Sequence, residues 1–230
     1  MVRQLLDAIG RVVFGLGCRI DMRDLENLPT TGPVILMPNH VNFLDVVVVS
    51  VLLPRQPVGM VKEELLQAFF VGPILRAYGA IPVRRGEVDR QALRRAEALL
   101  KEGRHVLMIA PEGHRSGSGQ LQAGRAGLAF IAVRNQALVV PVAVTGGEHV
   151  WRNLLALRRT NVTLSFGPGF RFKGAGTKLD RDSLRLMTEE AMYQLAALLP
   201  PAYRGMYSDV AQATTDYLEF AERGDVTLQV

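Results

Sequence analysis

Five short apolar runs, Val34–Met37, Val58–Val61, Ala80–Val83, Val106–Ala110 and Leu138–Val144, punctuate the chain. Each has the length of a buried strand. Between them, Glu63–Ala77 and Asp89–Lys101 have helical spacing. In the second, Ala92, Leu93, Ala96, Leu99 and Leu100 line one face, and Asp89 is placed to cap the helix. A further helix is expected over Gly124–Arg134. Strand–helix alternation of this kind predicts an α/β fold. Beyond it, Asn161–Phe166 and Phe170–Phe172 read as a hairpin through Gly167-Pro168-Gly169. Leu184, Met187, Ala191, Leu195 and Leu198 then give a long helix that ends at Pro200–Pro201.

No repeat or linker divides the 230 residues, a length that suits one good-sized domain. With 48% hydrophobic and 21% charged residues the chain is of ordinary globular composition. The net charge is +5 and all but four of the 27 basic residues are arginine. Arginine excess suits phosphates or an anionic surface. There is no basic run of the kind that marks a nucleic-acid tail, so no nucleic-acid partner is expected. The single cysteine, Cys18, excludes an internal disulfide and fits a reducing compartment.

Residues 1–18 read as an amphipathic helix, with Leu5, Leu6, Ile9, Val12, Val13 and Leu16 on one face and Arg3, Asp7 and Arg11 on the other. It either packs on the core or lies in a membrane interface. The longest apolar runs, such as Val46–Leu53, are far shorter than the roughly 20 residues a bilayer requires. Asp7 and the lack of a cleavage pattern argue against a signal peptide.

His40 and Asp45 stand five apart in "NHVNFLD". In a continuous helix that spacing sets side chains about 140° apart. In a strand it puts them on opposite faces. A strand ending near Met37, a turn, and a helix starting near Asn42 would instead bring them together. A carboxylate bonded to one imidazole nitrogen fixes the tautomer and raises the basicity of the other, which makes a general base at a strand end. The plainer reading is that Asp45 caps the helix and His40 is a surface turn residue. Other chemistries lack their signatures. His40, His105, His114 and His149 show no metal-ligand spacing, and no G-x-S-x-G elbow occurs. "GQLQAGRA" (119–126) misses a P-loop, with Arg125 and Ala126 where Lys and Ser/Thr belong. A base without an enzyme nucleophile suits a substrate that brings its own hydroxyl to an activated ester or thioester. Two further strand-end loops, "YGAIPVRRG" (78–86) and "APEGHRSGSG" (110–119), carry arginines able to fork a phosphate, or merely solvated charge.

In order, "NHVNFLD", "GAIPVRR", "PEGHRS" and "VVPVAV" resemble the four blocks of the PlsC-type glycerolipid acyltransferases, the 1-acylglycerol-3-phosphate acyltransferase family. "VKEELL" (61–66) and "LLPPAYRGMYSD" (198–209) are also similar, so the resemblance covers residues 33–209. It implies a mixed, largely parallel sheet flanked by helices. The expected division of the chain is an N-terminal amphipathic helix over 1–20, an acyltransferase domain over 21–210 and a tail helix over 211–230. It implies an enzyme of phospholipid synthesis that moves a fatty acyl group from acyl-CoA or acyl carrier protein to the hydroxyl of lysophosphatidic acid. Its place would be peripheral, at the cytoplasmic face of the membrane. No cofactor or metal is implied. His40 would be the base and Asp45 its orienting partner. Arg84, Arg85, Glu112, Gly113, Arg115 and Arg125 would hold the acceptor, with Asn42 and His114 beside them. Asn42 stands where the family usually has serine, Ala110 where it has phenylalanine, and His114 where it has threonine. His114 therefore bears on the acceptor: another lysolipid, an aminolipid or a glycolipid is the alternative. A catalytically dead membrane-binding module is the other.

Overall fold

The computed structural model describes residues 2–40, 43–84, 86, 89–114, 116–156, 158–174 and 179–221; the side chains of 43–46 and 151 are outside that description. Nine strands form one mixed sheet among these residues: β1 (Cys18–Arg23), β2 (Val34–Pro38), β3 (Pro57–Lys62), β4 (Ile81–Val83), β5 (Val106–Met108), β6 (Leu138–Thr145), β7 (Thr160–Phe166), β8 (Phe170–Phe172) and β9 (Leu218–Phe220). Their order is β1-β7-β6-β2-β5-β3-β4, with β8 paired to β6 and β9. The β6-β2-β5-β3-β4 stretch is parallel throughout, so its five strands share one carboxyl edge.

Helices cover both faces. Side chains alternate along a strand, and here they sort cleanly. Ile35 and Met37 join one apolar cluster with Val139 and Ala143; Val34 and Leu36 join the other with Val140 and Val142. The first cluster is closed by α5 (Arg90–Glu102), α6 (Gly127–Arg134) and α8 (Arg181–Leu198). The second is closed by α1 (Val2–Gly17) and α2 (Phe43–Leu52). Three short helices, α3 (Glu63–Gln67), α4 (Val71–Ala77) and α7 (Val150–Leu155), lie in the connections. Local chemistry sets the boundaries. Asp89 caps α5 by accepting from the amides of Gln91 and Ala92, and Gly103 ends it in the left-handed region at φ 64°. Asp180 caps α8 through the Ser183 amide.

Four sequence expectations are corrected. The single helix over Glu63–Ala77 is two, α3 and α4. Pro73 has no N–H for the carbonyl four residues back, so it is tolerated only in a first turn, and the chain restarts its helix at Val71. The hairpin through Gly167-Pro168-Gly169 is not a reversal. Val142 pairs with Phe166 and Val139 with Phe170, both antiparallel, so β7 and β8 run on along the same side of β6. Four steps on one side match three on the other, which is a bulge. Pro141, which has no N–H to give, stands opposite it and accepts from the Gly167 amide at 2.9 Å. Residues 18–23, divided between the expected N-terminal helix and the domain, are a strand, β1, parallel to β7. In place of a tail helix, the described part of 211–230 holds the end of a 3-10 turn, Val210–Gln212, and β9; residues 222–230 lie outside the described set.

Candidate active site

β2 delivers Asn39 and His40 to the carboxyl edge of the sheet, and each is fixed on a different side. Asn39 is 1% exposed; its side chain donates to the Val144 carbonyl (2.9 Å) and accepts from the Val144 amide (2.7 Å). That double bond ties the end of β2 to the end of β6. His40 is clamped the other way. Its amide donates to Glu112 Oε1 (3.1 Å), and its carbonyl accepts from the Ser116 amide (2.9 Å). The residue is half-buried. α2 starts three residues later at Phe43, so Asp45 lies in its first turn, the strand–turn–helix arrangement the spacing calls for. The side chain of Asp45, and Asn42, Arg85 and Arg115 altogether, lie outside the described residues.

Glu112 follows β5, the neighbour of β2. It is 1% exposed, and both of its oxygens are used: Oε1 by the His40 amide and Oε2 by the Gln122 amide (3.1 Å). Its position is that of a brace between the carboxyl-edge backbone and the loop that follows. Burial pushes its carboxyl above the ordinary range, while the two amides and nearby His114 pull the other way. Gly113 takes φ 72°, and a Cβ there would stand 2.7 Å from Cδ of Arg125. Arg125 itself is exposed; its amide donates to the Pro111 carbonyl (2.8 Å) and its Nε to the Glu112 carbonyl (3.3 Å). Arg84 is at the carboxyl end of β4, three strand spacings or about 14 Å along the edge from β2. Its Nε pairs with Glu63 Oε2 at 3.1 Å, and its amide donates to Asp89. His40, Glu112, Gly113, His114 and Arg125 are thus brought together, and Arg84 shares the edge at a distance.

The chain's tail supports the same loop. The Leu121 amide donates to the Tyr203 carbonyl (2.8 Å), Gln120 Nε2 to the Ala202 carbonyl (3.2 Å), and the Gly124 amide to the Tyr207 hydroxyl (3.3 Å). Sequence reasoning missed Asn39 and Tyr207. The signal for Asn39 was present: an amide directly after a strand of buried residues needs partners for its polar ends.

Glu112→Gln tests the brace. An amide offers one acceptor oxygen where the carboxylate offers two, so one of the two backbone amides is left facing an NH₂ group. The variant should be less stable by about 1–3 kcal/mol. The difference should depend on pH. Glu112 titrates higher in the folded chain than in the unfolded one, so the fold binds its proton more tightly. Its contribution is fully present below the unfolded carboxyl value and is lost as pH rises through the folded one. Wild-type stability minus that of Glu112→Gln should therefore fall as pH rises from about 4, then level off, in denaturant titrations. A difference that grows with pH would mean that the amides outweigh burial.

The Acyltransferase family profile matches residues 19–145, β1 through the end of β6, which is more than half of the chain. The chain belongs to the acyltransferase family. The PlsC-type resemblance of its four blocks holds. A Bacillus subtilis 1-acyl-sn-glycerol-3-phosphate acyltransferase is 31% identical over 137 residues, 59% of this chain and 67% of that protein. The Limnanthes alba enzyme of the same name is 26% identical over 162 residues, 69% and 57%. The human beta enzyme is 31% identical over 129 residues, 55% and 46%. The chain thus spans about half the length of the plant and human relatives. Among solved structures, the lysophosphatidic acid acyltransferase PlsC of Thermotoga maritima superposes with a TM-score of 0.62 at 24% identity, over 83% of this chain and 76% of that one. That likeness is one of fold, and the mixed, mostly parallel sheet flanked by helices agrees with it.

Proposed function

We propose that this chain moves a fatty acyl group from a coenzyme A or carrier-protein thioester to the free hydroxyl of lysophosphatidic acid, forming phosphatidic acid. The observation that carries this reading is His40, held by its own backbone at the carboxyl edge beside the helix turn that bears Asp45. In this reading the imidazole takes the proton of the acceptor hydroxyl, and Asp45 fixes the ring and balances the imidazolium. The alkoxide adds to the thioester carbonyl. The tetrahedral intermediate then expels the thiolate, which receives the proton from His40. Glu112 keeps His40 in place through its amide, and the arginines of the edge hold the acceptor phosphate.

The test is product analysis by mass spectrometry after incubation with acyl-CoA or acyl carrier protein and a panel of lysolipids. Phosphatidic acid should be the main product. Arg115→Ala should lower kcat/KM for lysophosphatidic acid by about one to two orders of magnitude, since a charge-assisted hydrogen bond is worth about 1.5–3 kcal/mol. Arg115→Lys should recover part of it, because a point charge lacks the fork. If both leave acceptor kinetics unchanged, another lysolipid, an aminolipid or a glycolipid without that phosphate is the better reading.

The reading includes peripheral attachment to the cytoplasmic face of the membrane through α1. Only Phe14 of that helix is buried, while Leu5, Ile9, Val12, Val13 and Leu16 are all more than half exposed. No helix among the described residues is long and apolar enough to cross a membrane. An amphipathic helix with a solvent-facing apolar stripe suits the interface plane.

A further inference from the structure

Outside α1, two pairs of adjacent described residues expose large apolar side chains to a degree a soluble face rarely shows. Phe69 and Phe70, between α3 and α4, are 84% and 81% exposed and touch each other edge-to-face. Leu154 and Leu155, at the end of α7, are 50% and 88% exposed. Neither pair is remote from α1. At its start, Asp7 accepts from the hydroxyl of Tyr78 at the end of α4 (2.6 Å), and Arg3 lies over the Tyr78 ring. At its end, the Gly15 carbonyl accepts from Arg159, just past α7.

Topology puts both pairs beside the catalytic edge. β6, β2 and β3 are parallel, so the chain leaves all three at the same edge. From β2 it goes to His40. From β6 it goes through the turn Gly147–His149 into α7; from β3 it goes into α3 and then Phe69–Phe70. In the sheet, β2 lies between β6 and β3. His40 is therefore flanked by an apolar projection on either side. The charge around these elements is net positive. Residues 2–17, 62–77 and 147–161 together carry Arg3, Arg11, Lys62, Arg76, Arg152, Arg158 and Arg159 against Asp7, Glu63, Glu64 and Glu148. A net positive charge beside exposed apolar side chains suits an anionic bilayer.

We infer that the chain docks on an anionic lipid surface at three points, α1, Phe69–Phe70 and Leu154–Leu155, and that the two pairs turn the catalytic edge toward the lipid. This rests on the membrane reading of α1 above and adds the anchors that fix orientation. An acceptor lying in the surface layer then needs to rise only a short way to meet His40.

The experiment is co-sedimentation of the full chain with vesicles of phosphatidylglycerol and phosphatidylcholine, and with phosphatidylcholine alone. Three double variants are compared: Leu5→Ser/Leu16→Ser, Phe69→Ser/Phe70→Ser and Leu154→Ser/Leu155→Ser. All six side chains are half or more exposed, so thermal unfolding should stay as in wild type. Because β1 belongs to the sheet, α1 is tested by substitution and not by truncation. Each variant should lower the partition coefficient on anionic vesicles by about tenfold or more, and wild type should bind neutral vesicles much more weakly. If only the α1 variant loses binding, the three-point docking is overturned and the α1 reading stands. If the α1 variant also binds like wild type, that reading falls too. A wild-type dimer that the phenylalanine or leucine pair converts to monomer, with vesicle binding unchanged, would assign the face to a second copy instead and overturn the inference.

Discussion

His40→Ala should abolish most turnover while leaving the fold intact. Two hydrogen bonds that hold this position are made by its backbone, the amide to Glu112 and the carbonyl from Ser116, and alanine keeps them. What it removes is the imidazole. General-base assistance is worth about 10²–10⁴ in rate, or roughly 3–5 kcal/mol of barrier. Acyl transfer should fall on that scale, with thermal unfolding little changed. Asp45→Asn should fall in the same direction, since an amide cannot hold the imidazolium as a carboxylate does. Steady-state assays on both variants, with circular dichroism melts beside them, separate a lost base from a lost fold. Near-normal kcat in folded His40→Ala would sink the mechanism.

The elements that sequence reasoning placed well were those whose signals are local. The alternation of strands and helices, the Asp89 cap and the strand–turn–helix around His40 each depend on neighbours a few residues away. What it missed depends on distant partners. β1 carries Arg19, Asp21 and Arg23, and as an edge strand it buries little beyond Cys18; only its ladder with β7, some 140 residues away, makes it a strand. Gly167-Pro168-Gly169 has the composition of a reversal, and only the register of two strands against β6 reveals a bulge. The candidate site divides likewise. His40 and the helix turn that carries Asp45 could be set at one strand end from spacing alone. Glu112, expected to meet the acceptor, turns both oxygens to backbone amides, and amides leave no mark in a sequence.

Asn39→Ala should cost more stability than any exposed substitution at this edge, and should cost activity as well. The Asn39 amide is the only described side chain bonded to Val144, and it uses both the N–H and the C=O of that residue. Val144 is 1% exposed, so water cannot replace what is lost. Each buried group left unsatisfied costs about 1–3 kcal/mol, which gives about 2–6 kcal/mol for the pair. Asn39→Asp should be worse near neutral pH. A carboxylate can accept from the Val144 amide but has nothing to donate to its carbonyl, and an ionised group at this depth is disfavoured by burial. Its loss should therefore ease toward acid pH, where the aspartate takes up a proton and regains a donor; alanine should show no such recovery. The effect on catalysis is a matter of position. Asn39 precedes His40 and anchors the end of β2 to β6, so freeing it should let His40 drift while the arginines of the edge are untouched. The expected signature is a fall in kcat of about tenfold with KM for the acceptor nearly constant, since a misplacement on the order of 1 Å is enough to impair a near-attack geometry. Denaturant melts across pH together with steady-state kinetics read both halves. If Asn39→Ala keeps its stability and its kcat, the Val144 bonds are not what holds the base at the edge, and the clamp through Glu112 and Ser116 must suffice alone.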